Sequence, residues 1–198
     1  MMNGAGYTYP PGYGPNGLGL TANNNGKIIA SRAYFRDWDP PAPGDENPWP
    51  GVAGTSHGMH TSSTAAGDIV SATYNGFNVG TISGVAPKAY VMSYRVFYAS
   101  VNGIGSFYTT EGLAALEDIV QDGADVVNNS WGSGPGSTGG SFDPLDQALI
   151  NVTKAGIFVS MANGIAGPST GTSDHPLSAY INVAASTTGG ALGADQII

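Results

Sequence analysis

The chain has 198 residues, 41% of them hydrophobic and 10% charged, with 31 glycines and 13 prolines; this suits one domain with a substantial core and excludes a disordered segment. A net charge of −8 with only six Lys and Arg leaves no basic patch, which argues against nucleic acid and anionic membrane as partners. The absence of cysteine excludes disulfides, thiolate-ligated zinc and thiol nucleophiles.

Residues 1–25 read as an irregular N-terminal segment in which Gly, Pro, Tyr and Asn dominate, and Ala22-Asn-Asn-Asn-Gly26 marks a turn. No run has the length of a transmembrane span, and the first residues lack the basic and apolar regions of a signal peptide. The expectation is a soluble chain, cytoplasmic or cut from a longer secreted precursor, with the secreted, extracellular parent favoured. Lys27-Ile-Ile-Ala-Ser-Arg32 reads as a short buried strand. Around the loop Pro40–Pro50, the acids Asp37, Asp39, Asp45 and Glu46 could offer oxygens to calcium, but at no EF-hand spacing. The plainer reading is a proline-stiffened solvated loop, and no cofactor is expected.

The run Gly51–Gly67 packs two histidines among small residues. His57 and His60 are three apart, so one helical turn beginning near Ser56 puts both imidazoles on one face. The small residues suit a helix packed closely on a sheet and ended by Gly67. Two chemistries fit this run. His57 could be a general base at the head of a buried helix, with His60 as its packing or hydrogen-bonding neighbour. Alternatively Gly54-Thr-Ser-His-Gly58 is the G-x-S-x-G pentapeptide of esterases and lipases, with Ser56 as nucleophile. Adjacent side chains on a helix diverge, so His60 or His175, not His57, would then serve as base for Ser56.

Further along, Tyr90–Phe97 is strand-like, and Thr110 can cap a helix through Leu113, Leu116, Ile119 and Val120. Asp125–Trp131 is the next strand. Asp143-Pro-Leu-Asp146 opens a helix ended by Gly156, with an N-cap and a proline at N1. Ile157–Met161 and Tyr180–Ala185 add two strands. Strands separated by helices imply parallel pairing through right-handed crossovers, hence an α/β fold with a parallel sheet and helices on both faces. Sites in such folds lie beyond the carboxyl ends of the strands, where Ser130 and Asn163 fall. Trp131 reads as pocket wall or core filler, Trp38 and Trp49 as loop anchors, and His175 as a surface loop residue.

Four ordered motifs resemble one family. Ser56-His-Gly-Met-His-Thr61 is similar to the histidine motif of the subtilisin-like serine proteases, and Ile82-Ser-Gly-Val-Ala-Pro-Lys-Ala-Tyr-Val91 to the segment leading into their next strand. Asp122-Gly-Ala-Asp-Val-Val-Asn-Asn-Ser-Trp-Gly132 and Ala155-Gly-Ile-Phe-Val-Ser-Met-Ala-Asn163 resemble two further family strands. The resemblance covers roughly residues 26–190, so residues 26–198 read as a partial subtilisin-like hydrolase domain, a partial three-layer sandwich. It implies His57 as general base, Asn163 as oxyanion donor, and Ser130-Trp131-Gly132-Ser133 as the edge that pairs with an extended peptide.

Three departures accompany it. The nucleophile motif G-T-S-[MA]-A-x-P is not found before Ile198, nor is the aspartate motif D-[TS]-G upstream of Gly26. Ala162 stands where glycine is usual before Asn163, and Gly164–Pro168 is longer than the family's loop. One triad member of three is therefore present. The reading is a serine-hydrolase-type domain acting on the acyl bonds of a peptide or ester, with a non-catalytic peptide-binding remnant as the alternative. The family strand that carries the aspartate runs between those matched here by Ala89–Val96 and Val126–Ser130. Its absence predicts unpaired strand edges and homo-oligomers formed through them.

Overall fold

The computed structural model describes residues 2–48, 56–103, 108–134, 136 and 139–186. Two three-stranded sheets and a hairpin carry the architecture. In the first sheet β2 (Ile28–Ala33) is central, flanked by the two-residue β1 (Leu18–Gly19) and by β5 (Val91–Arg95), all parallel. The buried run from Lys27 to Ser31 shows why β2 sits inside: such a strand has neighbours on both edges and cover on its faces. The second sheet is β6 (Val126–Asn129), β7 (Phe158–Ala162) and β8 (Ile181–Val183), also parallel.

Helix α2 (Thr109–Gln121) connects β5 to β6, and α3 (Pro144–Lys154) connects β6 to β7. The two pack together over the second sheet, closing a core of Leu116, Ile119, Val127, Leu145, Leu149, Val152, Val159 and Met161. The start of α3 follows from its sequence. Asp143 caps it with Oδ1, accepting from the Leu145 N–H at 2.9 Å and the Asp146 N–H at 3.1 Å, and Pro144 needs no donor there. α2 begins one residue before the expected cap. Thr110 lies within it, with its hydroxyl on Glu111, and Gly112 and Ala115 join the buried side while Val120 is exposed.

The other face of the second sheet carries exposed Val126, Phe158, Ile181 and Val183, so among the described residues the sandwich is partial there. Between α1 (His57–Ala66) and β5 stands the antiparallel hairpin β3 (Val70–Tyr74) and β4 (Phe77–Ile82). Its turn is Asn75-Gly76 with φ of 48° and 83°, both left-handed, the pair that matches the twist of a two-residue hairpin.

The two sheets are not joined, because no hydrogen bonds link β5 to β6. They are held in one body by a polar strap. Arg32 on β2 donates to both carboxylate oxygens of Asp122 at 2.8 and 2.7 Å, and the Tyr94 hydroxyl on β5 donates to the same group at 2.8 Å. Tyr34 reaches Asp118 on α2 at 2.7 Å. Burial works to raise the Asp122 carboxyl, but the hydrogen bonds from Arg32 and Tyr94 outweigh it and hold it below its ordinary value. The N-terminal residues do not fill the gap between the sheets. Tyr13 crosses its amino end, donating to the Asp122 carbonyl at 2.9 Å, and Tyr7 turns away to Pro87.

The loop after β2 is not the solvated one expected. Asp39 and Asp45 are wholly buried, because Arg36 and Arg95 reach them at 3.3 and 2.7 Å. Carboxylates so engaged are poorly placed to coordinate calcium. Trp38 is largely exposed, edge-on to Tyr108, and Trp49 lies outside the described residues.

Candidate active site

Helix α1 begins at His57 with Ser56 as its cap and ends at Gly67, as the small-residue run predicts. It does not pack on a sheet as that run led us to expect: only Ala66 is buried. The reason is the gap between the sheets, which removes the surface beneath the helix. What anchors α1 is its last turn. Gly84 N–H donates to the Gly67 carbonyl at 2.9 Å, Val85 N–H to Thr64 at 3.0 Å and Ala86 N–H to Ala65 at 2.8 Å. This close approach requires glycine at 84, where a Cβ would lie 2.3 Å from the Gly67 nitrogen.

The gap itself is a cavity of about 1400 Å³. His57 lines it together with Ser130, Trp131 and Gly132, so α1's first residue and the β6 edge face one space. Ser56, His60, Ser133 and Asn163 are not among its lining residues. His57, Ser56 and His60 are all exposed, and no described residue hydrogen-bonds the His57 imidazole.

Asn163 follows β7 and pairs its backbone N–H with Val183 at 2.9 Å. Its side-chain Oδ1 is buried without a partner among the described residues. Ser133 departs from expectation. Its N–H and that of Gly134 both donate to the Asp174 carboxylate, the second at 2.9 Å, so neither is open to a peptide. Gly132 gives the same carboxylate room, because a Cβ there would stand 2.3 Å from its oxygen and Asp174 would have to shift. Ser130 accepts from the Asn128 side chain at 2.8 Å.

A nucleophile elbow needs a strand running directly into the serine; β2 ends at Ala33, residues 34–48 carry no strand, and residues 49–55 immediately before Ser56 lie outside the described residues. Gly54 and Thr55 lie outside the described residues.

His175 is buried, contrary to the surface position expected. Its Nδ1–H donates to Asp146 at 2.7 Å, and its ring stands edge-on to Trp131 with centroids 5.3 Å apart. Asp146 also accepts the Tyr180 hydroxyl at 2.7 Å, and burial followed by this bond pushes that hydroxyl's pKa up. Asp143, Asp146 and His175 form a metal-ligand type of grouping, but Asp143 caps α3 and Asp146 already accepts from His175, Tyr180 and Gly140. Nothing in the sequence signals the Asp146 or Asp174 contacts, which join residues 29 and about 40 positions apart.

No helix among the described residues is long and apolar enough to cross a membrane. The subtilase family model matches residues 18–192. The subtilisin-like protease SBT2.2 of Arabidopsis thaliana is 40% identical over 119 residues, which is 59% of this chain and 13% of that protein. From the same plant, SBT2.6 is 34% identical over 158 residues, 73% of this chain and 18% of that protein. SBT1.3 is 31% identical over 161 residues, 75% of this chain and 19% of that protein. Among solved structures, sphericase aligns with a TM-score of 0.48 at 24% identity, over 64% of this chain and 38% of that one. The chain thus spans less than a fifth of the length of these curated relatives. With the family model matched over most of its length, the chain belongs to the subtilase family.

Proposed function

We propose that this domain serves acyl transfer on peptides, with His57 as the general base, Asn163 as the amide donor to the tetrahedral oxyanion, and Ser130–Gly132 as the edge that seats an extended substrate. The observation that carries the reading is the position of His57. It heads α1 with an imidazole that no described residue hydrogen-bonds, and opens on the same cavity as Ser130, Trp131 and Gly132. A base so placed needs a nucleophile and an orienting acid, and the motifs for both are absent from these 198 residues. The expected activity is accordingly slow, and activated esters are better substrates than amides.

A fluorophosphonate probe tests this directly. Labelling lost in His57→Ala supports a base at 57. Labelling confined to Ser56 and insensitive to His57→Ala would support an esterase instead, and no labelling at all would support a peptide-binding role without catalysis.

A further inference from the structure

Six Asn-Gly pairs occur in the chain, beginning at Asn3, Asn16, Asn25, Asn75, Asn102 and Asn163. Glycine carries no Cβ, so its backbone nitrogen can approach the Cγ of the asparagine before it and attack there. Four of the pairs are restrained by their contacts. Asn25 is held at both ends of its amide: Oδ1 accepts from the Lys27 and Ile28 N–H groups at 3.1 and 2.9 Å, and Nδ2 donates to the Met2 carbonyl at 2.8 Å. Asn3 accepts the Ala5 N–H at 3.0 Å. Asn102 donates to buried Asp39 at 2.8 Å, and the Gly103 N–H donates to the Ser100 carbonyl at 3.1 Å. Gly17 is wedged against the Ile29 carbonyl oxygen, which lies 2.3 Å from where a Cβ would stand.

Asn163-Gly164 has no such restraint. The Asn163 Oδ1 has no partner among the described residues, and no described residue hydrogen-bonds the Gly164 N–H. Gly164 is exposed, with a left-handed φ of 75°, and the nearest atom to a Cβ there is the Thr172 carbonyl oxygen at 3.7 Å. The Asn163 N–H is pinned to Val183 at 2.9 Å, so closing a ring needs only the side chain and the exposed glycine to turn.

We infer that Asn163 is a self-modification site, whose conversion to aspartate or isoaspartate removes the amide proposed above to meet the oxyanion. The Gly164 nitrogen loses its proton to solvent base and bonds to the Asn163 Cγ; the Cγ–Nδ2 bond breaks, and ammonia leaves with a proton from solvent. Water then opens the cyclic imide at one of its two carbonyls, giving aspartate or isoaspartate. Aspartate places a carboxylate where negative charge would develop, and like charges disfavour one another. Isoaspartate also lengthens the main chain by a methylene just before Gly164. The consequence for catalysis rests on the proposed role of Asn163, whereas the ring closure does not.

The test is prolonged incubation of the full chain in mildly alkaline buffer, read by peptide mass spectrometry, by enzymatic methylation of isoaspartate and by p-nitrophenyl ester turnover. The peptide holding residue 163 should gain one mass unit and become partly methylatable, while the peptides holding Asn25 and Asn102 stay unchanged. Gly164→Asn, a residue type that tolerates left-handed backbone, puts a Cβ in the path of attack and should slow the gain at least ~10-fold. Gly164→Ala, which meets open space, should slow it likewise. Turnover should fall with the modified fraction, since loss of one oxyanion donor costs ~10²–10³-fold. The inference is overturned if residue 163 of the folded chain stays asparagine over a period in which the urea-unfolded chain converts it, or if both Gly164 variants convert as fast as the parent. Conversion at 163 with turnover unchanged, or with none from the outset, would leave the modification standing and overturn the reading of Asn163 as oxyanion donor.

Discussion

Asp146, wholly buried on α3, accepts from the His175 imidazole and the Tyr180 hydroxyl through the same oxygen, each at 2.7 Å. That one atom ties α3 to the loop before β8 and, through the His175 ring, to Trp131 on the cavity wall. Removing the carboxylate leaves two buried donors without a partner. Asp146→Ala is expected to cost ~3–5 kcal/mol, as for other broken buried pairs, and Asp146→Asn less because an acceptor remains. Denaturant unfolding checks this; an Asp146→Ala protein within ~1 kcal/mol of the parent would mean that the network contributes little beyond an ordinary hydrogen bond.

Lys27 is another wholly buried charge. Its Nζ has no exposure and donates to the Pro87 carbonyl at 2.6 Å and the Tyr7 hydroxyl at 3.1 Å, with Asp68 at 3.4 Å. Lys27→Met removes the charge paired with Asp68 and leaves that carboxylate only neutral donors, the Asn3 N–H at 2.6 Å and the Tyr7 hydroxyl at 3.3 Å. The expected signature is non-additivity: with Asp68→Asn as the second change, the double variant should be less destabilised than the sum by ~0.5–3 kcal/mol. Additive losses in a double-mutant cycle would remove the pair from any stabilising role.

Much of this architecture was legible because it is local. The run from Lys27 to Arg32 became β2, the cap and proline at Asp143-Pro144 became the head of α3, and α1 starts within a residue of Ser56. What escaped has physical causes. The Asn75-Gly76 hairpin has a turn signal, but its strands are largely exposed and lack the core-facing alternation that marks a strand in sequence. His175 reads as a surface residue from the sequence because the partner that buries it in its loop is 29 positions away. Ser133 looked like a substrate edge because its capture by Asp174 depends on two loops meeting in space. The small residues of α1 correctly specify close approach, but that approach is realised only at Gly84 while the rest of the helix faces the cavity.

The strap between the sheets should fail in acid. The folded Asp122 carboxyl is held below its ordinary value of 3.8. Its contribution is therefore complete above that value, where the unfolded chain is also ionised, and is lost as pH falls through the folded value. Unfolding free energy measured against pH should drop below about 3.8, and Arg32→Ala should flatten the drop by removing the guanidinium that depresses the group. A slope unchanged by Arg32→Ala would assign the acid sensitivity to other carboxylates.

Gly84 makes a sharper structural prediction. An added methyl at 84 meets the Gly67 nitrogen at 2.3 Å and the Ser63 carbonyl oxygen at 2.7 Å, both backbone atoms that cannot swing aside. Gly84→Ala should cost ~1–3 kcal/mol, in the range of overpacked sites, and the loss should fall on α1. Hydrogen exchange is the measurement that separates the elements. Amides of residues 60–67 should exchange faster while those of α3 keep their protection, and uniform acceleration would point to global rather than local loosening.

The last prediction concerns the chemistry. An aryl ester expels a phenolate that needs little protonation, whereas an amide leaves as an amine only if an acid protonates it. On the roles proposed for His57 and Asn163, this chain should therefore turn over activated short-chain esters slowly and leave folded proteins intact. A positioned general base contributes ~10²–10⁴-fold, so His57→Ala should lower ester turnover by about that factor, while His60→Ala and Ser56→Ala leave most of it. Asn163→Ala should lower it by about 10²–10³ if its amide meets the oxyanion, as for other single donors to such a site. Rates of all four variants, measured against the same p-nitrophenyl ester, distinguish the cases. Turnover unaffected by His57→Ala and Asn163→Ala but abolished by Ser56→Ala would overturn the assignment of base and oxyanion donor, and casein cleavage at the rate of an intact protease would overturn the expectation of a crippled relay.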